Sequence, residues 1–202
     1  MLFLACAGET GGANPDLALE PLESVSLDPP VDDDDPTPER AVTESGSDEG
    51  WDWGHLRGWV KADAAYVFGA LSDHDVVVDR REMASWTSEV VEDDEVDVAY
   101  RVNNVVTDPV TVDFDVTWRH LRVVDGDADG SVSVWAKTEG TEFIPLLEGS
   151  AVAATDQGAV DLSLVYHLDT FDSTPDDVER YLLDLYASIV AASHGEPLPT
   201  YE

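Results

Sequence analysis

Few groups in the chain are able to do chemistry, and they are scattered. Asp125-Gly126-Asp127-Ala128-Asp129-Gly130 sets carboxylates at the first, third and fifth positions of a loop and glycine at the sixth. That is the first half of a Ca2+-binding loop, in which oxygens alternate with turn residues around a hard cation. The second half departs from it. Ala136 stands at the twelfth position, where a bidentate glutamate is needed, and strand-like segments flank the loop. Aspartate and glycine are also what a hairpin turn favours. A plain turn is the first reading, and Ca2+ at Asp125, Asp127 and Asp129 the second.

Of the histidines, His120 continues the apolar face of its segment after Trp118. There it either orients a polar ligand group or acts as a general base, or it sits at the wet end of its strand. His167 shares a face with Val165, Ser163 and Asp161 and reads as an outer, surface residue. Trp118 and Tyr166 carry a polar atom on an apolar body, which buried sites hydrogen-bond. Zinc spacings, phosphate-binding glycine loops and nucleophile elbows are absent from the sequence. The single cysteine, Cys6, lies in the leader, so neither a cysteine nucleophile in the domain nor an intrachain disulfide is available.

The chain has 202 residues, enough for one domain and a tail, and a formal net charge of −34 from 44 acids and 10 bases. Such a surface repels phosphate backbones and anionic headgroups, which argues against a nucleic-acid partner. No apolar run reaches the eighteen or so residues of a membrane helix. Membrane association, if any, comes from the N-terminus.

Residues 1–50 carry 13 acids against Arg40, with Pro15, Pro21, Pro29-Pro30, Pro36, Pro38 and the run Asp32 to Asp35. That composition predicts an unfolded, charge-extended linker over 1–50 and a folded domain over 51–202. The opening Met1-Leu2-Phe3-Leu4-Ala5-Cys6 resembles the end of a bacterial lipoprotein signal, the lipobox, with Cys6 as the acylated residue. Phe3 stands where leucine is usual, and only five residues precede Cys6. A start codon set too far downstream explains the short signal. This resemblance implies an extracytoplasmic chain, anchored to the cell envelope by lipid.

From Trp51 the patterning becomes that of a folded domain. Residues 56–61 read as a short strand and 62–72 as a helix, with a second short helical or irregular piece to Met83. Period-two segments follow at 86–91, 96–106, 110–124, 131–138, 144–155 and 159–170. In 110–124, Val112, Phe114, Val116 and Trp118 oppose Asp113, Asp115, Thr117 and Arg119, so one face is read as wet. Asp156-Gln157-Gly158 is a hairpin turn. Thr174-Pro175-Asp176-Asp177 starts a helix that runs to about Ser193, with Val178, Tyr181, Leu182, Leu185, Tyr186 and Ile189 in one stripe.

The run Gly58 to Asp73, Leu147-Glu148-Gly149-Ser150, Leu164 to Leu168 and the final helix, in this order, resemble the START-like helix-grip superfamily (SRPBCC). Its members include the birch-pollen allergen fold, lipid-transfer START domains and polyketide cyclases. The resemblance implies an α+β fold, with a curved antiparallel sheet of six to seven strands around the long C-terminal helix. It also implies an apolar cavity between them for a lipid, sterol or polyketide-like guest. Tyr100, Phe114, Trp118, His120 and Tyr166 from the sheet, with Leu182, Leu185 and Ile189 from the helix, are the expected lining. Taken one at a time, each is better explained by core packing. The expected function is binding or carriage of a hydrophobic small molecule by a monomer. The alternatives are a cyclase or aromatase-like enzyme with His120 or Tyr166 as acid–base, and an interaction domain whose interior is filled.

Overall fold

The computed structural model describes residues 17–107, 110–125 and 128–201, with the side chains of Asp125 and Ala128 left aside. Eight strands form one antiparallel sheet: β1 Ala41–Asp48, β2 Trp51–Val60, β3 Ser85–Val90, β4 Val98–Val106, β5 Val112–Asp125, β6 Ala128–Gly140, β7 Leu146–Asp156 and β8 Ala159–Asp169. Their order is β1-β2-β8-β7-β6-β5-β4-β3. Two short helices, α1 Ala64–Leu71 and α2 His74–Val77, carry the chain from β2 to the far edge of the sheet at β3. The long helix α3, Pro175–Ser193, closes the fold. This is the helix-grip arrangement, with one or two strands more than expected.

Local chemistry explains the best-defined joints. The Thr174 hydroxyl accepts from the Asp177 amide while the Asp177 carboxylate accepts from the Thr174 amide, a reciprocal capping box that fixes the start of α3. Gln157 and Gly158, at φ 50° and 83°, make the tight β7–β8 turn. A bulge between Asp115 and Val116 shifts the register of β5 against β6 and bends the pair.

One row of paired residues crosses the sheet from β4 to β2: Tyr100, Trp118, Trp135, Gly149, Tyr166, Gly54. Rings and glycines share this row for a steric reason. A Cβ on Gly149 would fall 2.0 Å from Trp135 Cζ2, so the indole lies over a bare backbone. A Cβ on Gly54 would fall 2.6 Å from Val178 and 2.8 Å from Leu182, so α3 seats directly on β2. Trp118 and Trp135 stack with centroids 4.4 Å apart.

The expected linker boundary at residue 50 falls in the turn between two paired strands, because 41–48 is an edge strand of the sheet. Residues 17–40 are not a detached linker either. They cross the convex face of the sheet as an irregular strap. Leu17 accepts from Arg119 on β5, and the Leu22 amide donates to Ser150 on β7. Glu23 meets His167 on β8 and His55 on β2. Leu27 accepts from Arg57, and Pro30 from the Trp59 indole N–H. Leu17, Leu19, Leu22, Val25 and Leu27 are half-buried, while Glu20 faces water and Glu23 turns to the histidines. The strap needs no core of its own, since the sheet supplies the apolar surface.

The face read as wet is therefore partly dry. Thr117 and Arg119 are buried, and Arg119 is only 4% exposed. His167 keeps its outward direction but is buried under the strap, between Glu23 at 3.2 Å and Glu148 at 3.1 Å. Arg119 is held by Asp93 at 2.7 Å and Glu95 at 2.9 Å. The guanidinium keeps the Asp93 carboxyl below the ordinary aspartate range.

Two outcomes follow. Asp93→Asn should cost about 2 kcal/mol in denaturant unfolding at neutral pH, as for a charge-assisted hydrogen bond whose partner stays buried. Because the folded carboxyl is depressed, that difference is complete above the usual aspartate pKa and fades as pH falls through the depressed value. Gly149→Ala should lower stability by about 1–3 kcal/mol, as overpacking does, and should red-shift tryptophan emission as Trp135 is displaced.

Candidate functional site

The helix touches only part of the sheet. Seated over Gly54, α3 packs on β2, β1 and α1. Beneath the β4–β8 side a hollow of about 640 Å3 is left. Its inner wall is aromatic: Phe114 and Trp118 from β5, Trp135 from β6, Tyr166 from β8 and Tyr181 from α3. Val106, Val112, Val116, Ile144, Leu147 and Leu168 extend the apolar surface, and Val77, Val78 and Met83 close the side under the short helices. At the mouth, Phe171, Phe143 and Val110 are 94%, 63% and 54% exposed.

Polar groups in this wall are few. Asn104 donates from Nδ2 to its own neighbour, the Val102 carbonyl, at 3.1 Å. The Tyr181 hydroxyl donates to the Val77 carbonyl at 3.1 Å. Trp135 Nε1 is buried with no acceptor among the described residues. Asp79, in the turn after α2, lines the hollow and accepts on Oδ1 from the Arg81 and Glu82 amides at 3.0 and 3.2 Å. It has no cationic partner among the described residues. Burial raises its carboxyl above the usual range. Burial first, and the Asp79 charge second, raise the Tyr166 hydroxyl as well. At the rim, Arg180 is tied to Asp177 at 2.9 Å and Glu82 at 3.1 Å.

Of the residues expected to line a cavity, Phe114, Trp118 and Tyr166 stand in its wall. Tyr100, His120, Leu182, Leu185 and Ile189 do not; they are buried in the packed core away from the hollow. His120 is neither at a wet strand end nor in reach of a guest. It is fully buried, stacks on Tyr100 and Trp118, and shares a hydrogen bond with Ser133 at 2.8 Å through Nδ1. Burial lowers its pKa to about 3, so the ring is neutral. Trp135, Tyr181, Asn104 and Asp79 line the hollow without being among the expected lining residues. Trp135 opposes Val132 and Val134 along β6; Val134 is buried on the outer side of the sheet, and Trp135 lines the hollow.

For the Ca2+ reading, Asp127 and the side chain of Asp125 lie outside the described residues. Asp129 binds Arg122 through both carboxylate oxygens, at 2.5 and 3.0 Å. Among the described residues no group of three or more carboxylate, imidazole or thiol side chains is placed to hold a metal ion. Cys6 also lies outside the described residues. No described helix is long and apolar enough to cross a membrane.

No protein-family model matches the chain, and no curated protein matches it significantly. Solved structures of similar course exist at low identity. The human StarD13 (DLC2) lipid transfer and protein localization domain is 16% identical, with a TM-score of 0.47, over 78% of this chain and 88% of that one. Major latex-like protein 151 from Panax ginseng is 12% identical, with a TM-score of 0.46, over 74% and 100%. The Zhui aromatase/cyclase from a Streptomyces species is 16% identical, with a TM-score of 0.39, over 77% and 92%. The description of the fold rests on its own strand order and register. The chain has a helix-grip fold, by its own strand order and long C-terminal helix, and its hollow lies to one side of the gripped helix.

Proposed function

We propose that the domain binds or carries a hydrophobic small molecule in the hollow beneath β4–β8. The observation that supports this is the hollow itself. Its volume of about 640 Å3 falls within the range of small-molecule sites, and its wall is apolar and aromatic with a few polar groups, as such sites are. The alternative of an interaction domain with a filled interior gains no support from an open hollow of this size. An enzymatic role for His120 gains no support, since the imidazole does not reach the hollow. The chain works outside the cytoplasm, tethered through acylated Cys6 and probing its surroundings from the membrane surface. The resemblance of residues 1–6 to a lipobox motivates that part.

Titration of the full chain with a neutral naphthalene probe should quench tryptophan emission at a stoichiometry of one. Leu147→Trp, which fills the hollow from β7, should weaken that binding at least tenfold and leave the circular dichroism spectrum unchanged. Equal binding by the variant would place the probe elsewhere. Expression with the upstream sequence restored, in cells fed labelled fatty acid, should label the chain, and Cys6→Ala should abolish the label. Equal labelling of both would end the tether.

A further inference from the structure

The hollow carries an electrostatic feature that a carrier for neutral lipids does not need. Its lining contains four carboxylates, Asp79, Glu82, Asp172 and Asp177, and one guanidinium, Arg180. Arg180 is occupied by Asp177 and Glu82 at the rim. Asp79 lines the same hollow as Tyr166 and Tyr181, with both of its hydrogen bonds on Oδ1. Oδ2 has no hydrogen-bond partner among the described residues. Asp79 is half-buried, and a carboxylate so placed without a counter-cation leaves charge that a cationic guest can pair with. The surrounding walls are faces of Trp118, Trp135, Tyr166, Tyr181 and Phe114. Aromatic faces attract cations through their quadrupoles, most strongly where water is excluded. An anionic guest, such as a fatty-acid carboxylate, would meet repulsion from all four acids. We infer that the guest is an amphipathic organic cation, an apolar or aromatic body bearing a protonated amine or quaternary ammonium, whose charge is received by Asp79 and the aromatic wall.

This inference rests on the proposed binding role of the hollow and names the guest's chemical class. The remaining charged groups around Asp79 agree with it. Arg80 turns away to Ser188 and Tyr201, and Arg81 pairs with Asp184. Neither neutralises the Asp79 carboxylate. Burial raises the Asp79 carboxyl above the ordinary aspartate value, and a cation beside it would draw it back down.

The test compares three probes of one shape on the full chain at pH 7.5 and high salt, which screens the general attraction of an acidic surface. The probes are 1-naphthylmethylammonium, 1-naphthalenemethanol and 1-naphthaleneacetate. The ammonium should bind about tenfold tighter than the alcohol, and the acetate more weakly than both. Asp79→Asn keeps an acceptor for the two backbone amides and should bring the ammonium to parity with the alcohol. Glu82→Gln removes the same charge from the rim and should retain most of the preference. If the alcohol binds and the ammonium has no advantage, or if both variants reduce the advantage equally, the cation assignment is overturned while the binding role stands. If none of the three probes binds, the binding role fails and takes the assignment with it.

Discussion

A straight helix cannot follow a bent sheet, so the two touch along one line, and Gly54 sets where that line runs. Without a side chain there, Val178 and Leu182 settle onto the β2 backbone. The helix is thereby drawn to the β1–β2 side, and its stripe of Leu182, Leu185 and Ile189 is consumed in packing. A helix is about 10 Å across with its side chains. It cannot also reach β4–β6, and the distance it leaves uncovered is the hollow. Gly149 acts on the opposite wall, where it lets Trp135 lie flat against β7 instead of projecting into the space. Two glycines in one row across the sheet therefore fix both walls.

Much of this was legible in the sequence because it is written locally. The capping box at Thr174, the Gln157-Gly158 turn and the period-two faces of β4 and β5 each depend on neighbours a few residues apart. Phe114 and Trp118 could be placed inward for that reason. What was not legible depends on partners far away in the chain. No feature of Leu185 or Ile189 reveals that Gly54, more than a hundred residues earlier, pulls their helix to one side. His120 follows the inward alternation faithfully, yet its complete burial, stacked on Tyr100 and Trp118 and bonded to Ser133, depends on the packing of the whole fold and follows no periodic rule.

The leader departs from the extended linker its composition predicts for a different reason. Composition averaged over fifty residues records acids and prolines and predicts an extended chain. It does not record that Leu17, Leu19, Leu22, Val25 and Leu27 fall on one side of the acids. Nor does it record that the convex face of the sheet offers Val134, Val165 and Trp59 to cover. The same strap explains why buried polar groups occur on that face: Arg119, Ser150 and His167 each find a partner in it. Both faces of the sheet are therefore dry over much of their extent, and Val134 of β6 belongs to the covered outer side.

The hollow beside the gripped helix is the claim on which the binding role and the guest chemistry both stand. A crystal structure of the full chain under xenon pressure tests it most directly, because xenon enters apolar voids without needing a specific ligand. The account predicts xenon between Phe114, Trp118, Trp135 and Tyr181, with the protein otherwise unchanged. An interior in which Trp118 and Trp135 pack directly against α3, with no xenon between them, would contradict it.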